Sequence, residues 1–177
     1  MHTSTMLQLI QLNRLLTTDC TESSKSLGTN VKVAEVHEAL AKANFERDIA
    51  FLVPAFLNSR DWTLNEVAYP VLDVTFNSAN PLRVRLHCDQ WNELPPSVLI
   101  LKADGTERGP ELRGPTFHSD KHTVTGHTYI CLIGTREYHT HNSHLTDPWV
   151  NYKAQDGMNL PGLLDRFNRA WRKEMQL

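Results

Sequence analysis

At 177 residues the chain has room for one domain with a proper core and too little for two. Hydrophobic residues at 40% and charged residues at 21% describe an ordinary globular protein, and a formal net charge of -2 argues against nucleic acid as the main partner, because no basic excess exists to meet a phosphate backbone. Three cysteines (Cys20, Cys88 and Cys131) are odd in number and form no CxxC pair, which argues against ribbon-type zinc sites and favours a reducing compartment, the cytoplasm, over a disulfide framework. No apolar run approaches the roughly 20 residues of a membrane helix. No basic segment precedes the apolar stretch at 6–16, so neither a signal peptide nor a membrane partner is expected.

Met6, Leu7, Leu9, Ile10, Leu12, Leu15 and Leu16 predict an amphipathic helix or docking segment. Residues 17–30, rich in Thr and Ser and closed by Gly28, read as a linker, so 1–30 form an appendage and 31–177 the domain. Thr29 or Asn30 is placed to cap the next helix. Val33, Val36, Leu40, Ile49, Leu52, Val53 and Phe56 keep helical spacing over 31–58, and Pro54 kinks or splits the pattern, giving one long helix or two consecutive ones.

After Trp62 the period changes. Tyr69, Val71, Leu72, Val74 and Phe76 form a β-branched and aromatic strand, and Asn77-Ser78-Ala79-Asn80-Pro81 is a turn. Leu82, Val84 and Leu86 alternate with Arg83, Arg85 and His87, as in a half-buried antiparallel strand, and Ser97-Val98-Leu99-Ile100-Leu101 is a short buried one. These read as an antiparallel meander of three or four strands. Residues 106–126 lack periodicity, Tyr129 to Ile133 is apolar, and 135–153 is polar, dense in His and Asn, and reads as an ordered surface loop. Asn159 caps a final helix with Pro161 in its first turn, and Leu160, Leu163, Leu164, Phe167, Ala170 and Trp171 form its buried face. The order predicts an α+β domain whose function sits on the long irregular loop.

Cys131 stands on that loop, after an apolar segment and before a polar run, with His118, His122, His127, His139, His141 and His144 nearby. A nucleophile needs an accessible thiolate on rigid backbone, and Ile130 and Leu132 can anchor while the sulfur faces out. The alternative is that Cys131 is a small buried hydrophobe. His139-Thr140-His141 followed by His144 could also supply nitrogen ligands to a zinc ion, although no cysteine or acid partner stands at set spacing. Trp62, Trp91, Trp149 and Trp171 read as core or loop anchors, Arg83 and Arg85 as a solvated sheet face, and Cys88 as structural.

Leu94-Pro95-Pro96-Ser97-Val98-Leu99-Ile100, Pro115-Thr116-Phe117-His118-Ser119-Asp120 and Gly126-His127-Thr128-Tyr129-Ile130-Cys131-Leu132 together resemble, from about residue 33 onward, the ubiquitin-conjugating enzymes. The resemblance implies a UBC-like fold: N-terminal helices, a four-stranded meander, an active-site loop and a C-terminal helix. It implies that Cys131 accepts a ubiquitin-like modifier protein as a thioester from an activating-enzyme homologue and passes it to an amine of a protein target, with no cofactor. The family's proline and asparagine after the histidine are replaced by Ser119 and Asp120, the interval from His118 to Cys131 is wider than usual, and the tryptophan after the cysteine is replaced by Tyr138 or displaced to Trp149. These departures point to the divergent bacterial relatives, some of which act in phage defence. They leave the oxyanion donor open among His118, His122 and Asn142, with Asp120 or Asp147 as the acid that helps deprotonate the attacking amine. The rival reading is an inactive relative of that fold, which would bind a partner or zinc.

Overall fold

The computed structural model describes residues 27–176 apart from Pro110 and Arg113, with side chains from His37 onward; the apolar segment 6–16, Cys20 and most of the expected linker lie outside the described residues. Apart from the first turns of one helix, the described residues belong to the compact unit 34–177.

Helix α1 (Leu27–Ile49) starts ahead of the expected boundary, so Thr29 and Asn30 lie inside it and do not cap it. Pro54 splits the helical pattern: it opens α2 (Pro54–Arg60), where its missing N–H would have had no partner in any case. Asp61, at φ 55°, closes α2 and returns its N–H to the Asn58 carbonyl. Four antiparallel strands follow in sequence order, β1 (Trp62–Ala68), β2 (Val71–Phe76), β3 (Leu82–His87) and β4 (Ser97–Leu101). The pattern of residues predicts β2 to β4. It does not predict β1, an edge strand that buries only Trp62 and carries a bulge between Leu64 and Glu66, and so shows little apolar alternation.

The sheet register puts Leu72, Val74, Phe76, Leu82, Val84, Leu86, Val98 and Ile100 on one face, each almost fully buried. They pack with Phe45 of α1 and with Leu160, Leu163, Leu164, Phe167 and Trp171 of the last helix, α4 (Leu160–Met175). Asn159 caps α4 as expected, its side-chain oxygen accepting from the Gly162 N–H at 2.9 Å. Asp48 ties three parts of this core together. Its buried carboxylate accepts from Trp91 Nε1 at 3.0 Å and from the Leu160 N–H at 3.1 Å, which joins the end of α1 to the start of α4. All four indoles are buried, and those of Trp91, Trp149 and Trp171 donate to interior acceptors, the anchoring role expected of them.

The outer face of the sheet is not the simple solvated surface that alternation predicts. Asp73 on β2 is fully buried, and Arg83 and Arg85 on β3 both close on it, at 2.8 and 2.9 Å. The bulge in β1 turns Asn65 inward to donate to the same carboxylate at 3.0 Å. Burial opposes ionisation of Asp73, but the bonds from Arg83, Asn65 and Arg85 outweigh it and hold the carboxyl below its usual range. Asp73→Ala is expected to cost about 3 kcal/mol in urea unfolding, the lower end for a broken buried pair because the arginines reach water. The carboxyl titrates lower in the folded than in the unfolded protein, so this stabilisation is complete above about pH 4 and is lost as pH falls through the folded value. The variant should therefore lose less stability on acidification than the parent.

Candidate active site

The backbone around Cys131 is held from every side. Thr116 is followed by β5 (Phe117–His118), which pairs antiparallel with β6 (Tyr129–Ile130), and Cys131 comes next. The Cys131 N–H donates to the Thr116 carbonyl at 2.8 Å, and Ile130 is fully buried beneath it. Glu107 fastens the base of this excursion, accepting from Lys121 Nζ and from the Thr128 N–H, both at 2.8 Å. Burial works against its charge, yet these bonds hold its pKa at about 2. Three residues past the cysteine, Gly134 sits at φ +103°, and a Cβ there would lie 2.4 Å from Leu163 of α4. Only glycine fits.

Thr135, fully buried, then caps a short helix, α3 (Arg136–Thr140). Its hydroxyl is shared between the carbonyls of Ile130 at 2.8 Å and Leu132 at 3.0 Å, and accepts from the Tyr138 N–H at 3.1 Å. One side chain therefore binds the chain on both sides of Cys131 and starts the next helix. That helix is fastened to the sheet in turn: the buried Glu137 carboxylate accepts from Ser97 Oγ and the Val98 N–H, and Arg136 reaches the Pro95 carbonyl at 3.2 Å and Asp89 at 2.6 Å. These contacts correct the reading of 135–153 as a surface loop. The segment holds α3 and two 3-10 turns (Asn142–His144 and Trp149–Asn151), and it folds against β4 through long-range bonds that polar composition conceals.

Cys131 Sγ is half-buried and lies 3.7 Å from His144 Nε2. His144 stacks on Tyr138, ring centres 4.0 Å apart and 14° from parallel. The Tyr138 hydroxyl donates to Asp147 at 2.9 Å, and Tyr152 donates to the other oxygen of that carboxylate at 2.7 Å. Burial first, then its hydrogen bond to Asp147, pushes the Tyr138 phenol up to about 12, so it stays a donor. His139 clamps the loop: its Nδ1–H donates to the Asp147 carbonyl at 2.7 Å, which leaves Nε2 to accept from the Gly134 N–H at 3.3 Å. Burial raises the Cys131 thiol above its ordinary pKa and lowers that of His139.

Of the residues singled out in the sequence, Cys131, His144 and Asp147 come together here, and the others do not. His118 lies on β5 with its ring 4.6 Å from that of Tyr129 and parallel to it, and its Nε2 meets the Pro115 carbonyl at 3.1 Å. His122 is buried. Its Nδ1 accepts from the Val124 and Thr125 N–H groups and its ring lies against the Glu137 backbone, so it braces a turn against α3. Asp120 is exposed, and its charge acts on Tyr129, as does that of Cys131. Asn142 is exposed at the start of the first 3-10 turn and makes no side-chain hydrogen bond among the described residues. The three histidines weighed as zinc ligands divide: His139 is spent on backbone, His141 Nδ1 meets Ser143 Oγ at 2.7 Å, and His144 turns to Cys131. Among the described residues, no three His, Cys, Asp or Glu side chains converge as metal ligands. Cys88 is buried, and burial raises its thiol far above the usual range.

Sequence reasoning missed Thr135, named Tyr138 only in place of a tryptophan after the cysteine, and weighed His144 as a zinc ligand. The one local signal was Thr135 standing between a glycine and a helix-compatible run, the signature of an N-cap. A groove of about 690 Å³ between α1 and the β3–β4 connection, lined by His37, Leu40, Ala41, Tyr69 and Trp91 among others, does not include Cys131. No protein-family model matches the chain, and no curated protein matches it.

Thr135→Val leaves the Ile130 and Leu132 carbonyls and the Tyr138 N–H without their shared partner. Chemical denaturation should show a loss of about 1–3 kcal/mol. A separate expectation concerns pH. His122 and His139 both titrate lower in the folded than in the unfolded protein, so their contribution is complete above about pH 6.5 and is lost as pH falls toward their folded values. His139→Asn, which can still donate to the Asp147 carbonyl, should flatten the fall in melting temperature between pH 7 and pH 5.

Proposed function

We propose that the protein is a transferase with a UBC-like fold, carrying a ubiquitin-like modifier as a thioester on Cys131 and passing it to an amine of a protein target. The observation that carries this reading is the placement of Cys131. It follows a short buried strand, beyond a four-stranded antiparallel meander, on backbone held by Thr116 and Thr135, with its sulfur half-exposed. A thioester carrier needs this combination, because a fixed sulfur must be reached first by an activated acyl group and then by an amine. Loading exchanges one thioester for another: Cys131 sulfur attacks the carbonyl carbon, and the activating enzyme's thiolate departs. Transfer forms an amide at that carbon and releases Cys131 as thiolate. Neither step changes oxidation state or requires a cofactor.

The rival reading, an inactive binding relative, draws on the thiol's raised pKa, which lowers the thiolate fraction at neutral pH. Incubation with an activating-enzyme homologue, its modifier and ATP separates the two. The parent should form an adduct that thiol reductant removes. Cys131→Ser should form either a reductant-stable ester or nothing. A labile adduct on Cys131→Ser, or none on the parent with a cognate pair, sinks the transferase reading.

A further inference from the structure

We propose that His144 is a catalytic residue, the proton acceptor for Cys131, and that Tyr138 holds and stabilises it. The assignment rests on the transferase reading for its biological purpose, but its chemistry stands on the Cys131–His144 pair itself.

A half-buried thiol whose surroundings disfavour the anion is a poor nucleophile unless a base lies within reach of its proton. Among the described residues around Cys131, the titratable neighbours are Tyr129 on β6, Tyr138 on α3, and His144 on the first 3-10 turn; the Asp120 charge acts on Tyr129, and Asp147 is engaged by Tyr138 and Tyr152. Both phenols are pushed above their usual pKa and stay protonated. His122 is buried behind Tyr129, edge-on to its ring at 5.1 Å, and His141 lies 5.8 Å from His144 ring to ring. Among the described residues, His144 Nε2, at 3.7 Å from Sγ, is the basic nitrogen placed to take the proton.

The stacking on Tyr138 explains how the imidazolium would be tolerated. A phenol that donates to a carboxylate has an electron-rich ring, and its face attracts a cation lying parallel to it. The ring pair is close, at 4.0 Å, and Asp147 adds negative charge beyond the hydroxyl. Asp147 thus serves both sides of the loop, through its carboxylate to Tyr138 and through its carbonyl to His139.

The proton accounting closes in both steps. In loading, the S–H proton passes to His144 Nε2 as sulfur forms its bond to the acyl carbon, and the departing thiolate of the activating enzyme takes a proton from His144 or solvent. In transfer, the neutral amine of the target adds to the acyl carbon, His144 Nε2 accepts one of its protons, the C–S bond breaks, and Cys131 leaves as thiolate to be reprotonated by His144.

Alkylation of Cys131 by iodoacetamide, a neutral reagent, followed by mass spectrometry of the Cys131 peptide from pH 5 to pH 10, tests the pair without any modifier. The parent should show two rises in rate, the first from removal of the Cys131 proton by His144 and the second from ionisation of the thiol itself. His144→Ala should lose the first rise and react about tenfold more slowly at pH 7, and added free imidazole should restore part of the rate, which a merely structural role would not allow. His144→Gln, which keeps size and polarity, should behave as His144→Ala. Tyr138→Leu should slow the reaction at pH 7 by removing the ring that stabilises the imidazolium. Identical profiles for parent and His144 variants, with melting curves showing each folded, overturn the assignment. The two proposals fail separately: a two-step profile with no adduct from a cognate activating enzyme leaves the pair standing and removes the transferase, whereas equal adduct formation in parent and His144→Ala at pH 7 does the reverse.

Discussion

One buried hydroxyl organises the functional end of this protein. Thr135 Oγ1 touches the carbonyls on either side of Cys131 and the N–H that begins α3, so the position of the sulfur and the direction of the next helix are set together. A hydroxyl carries a single proton, so the two carbonyls share it, and neither is fully satisfied without it. Buried polar groups in this state are costly to disturb, which turns a modest set of bonds into a rigid constraint.

The constraint is transmitted to the sheet by charge. Glu137 and Arg136 stand side by side on α3, one accepting from the first residues of β4 and the other donating to the turn before it and to Asp89. The sheet is pinned elsewhere by a second buried carboxylate, Asp73, under two arginines, and by a third, Asp48, between α1, Trp91 and α4. In each case an acid with almost no exposure is matched by several donors, as a buried polar group requires. The neighbouring side chains of Cys131 and His144 therefore rest on elements pinned at several points.

The loop after α3 shows why histidine count alone misleads. The residues of 139–144 suggest ligands for a metal, yet the geometry assigns each ring a separate partner: backbone for His139, a serine for His141, the cysteine for His144. An imidazole has two nitrogens with opposite roles in its neutral form, and the tautomer fixed by one bond decides what the other can do. His139 donates through Nδ1, so its Nε2 can only accept, and the Gly134 amide is there to be accepted.

The sequence by itself determined the α+β class, strands β2 to β4, the capped last helix and Cys131 as the residue to examine. These follow from local physics: alternation that buries one face, a proline that opens a helix, an asparagine before an apolar run. It did not reveal β1, because an edge strand with one buried residue carries almost no alternation. Nor did it reveal α3, because five residues are too few for a helical period and their stability comes from Ser97, Val98 and Pro95, some forty positions earlier. Only tertiary structure decided which histidine meets the sulfur. His118 and His122 stand on the strand and turn before Cys131 and face away into Pro115 and α3, while His144, 13 residues along the chain from it, is brought back by the turn that Thr135 starts. Contacts of that separation depend on where every intervening element packs, and no local pattern records them.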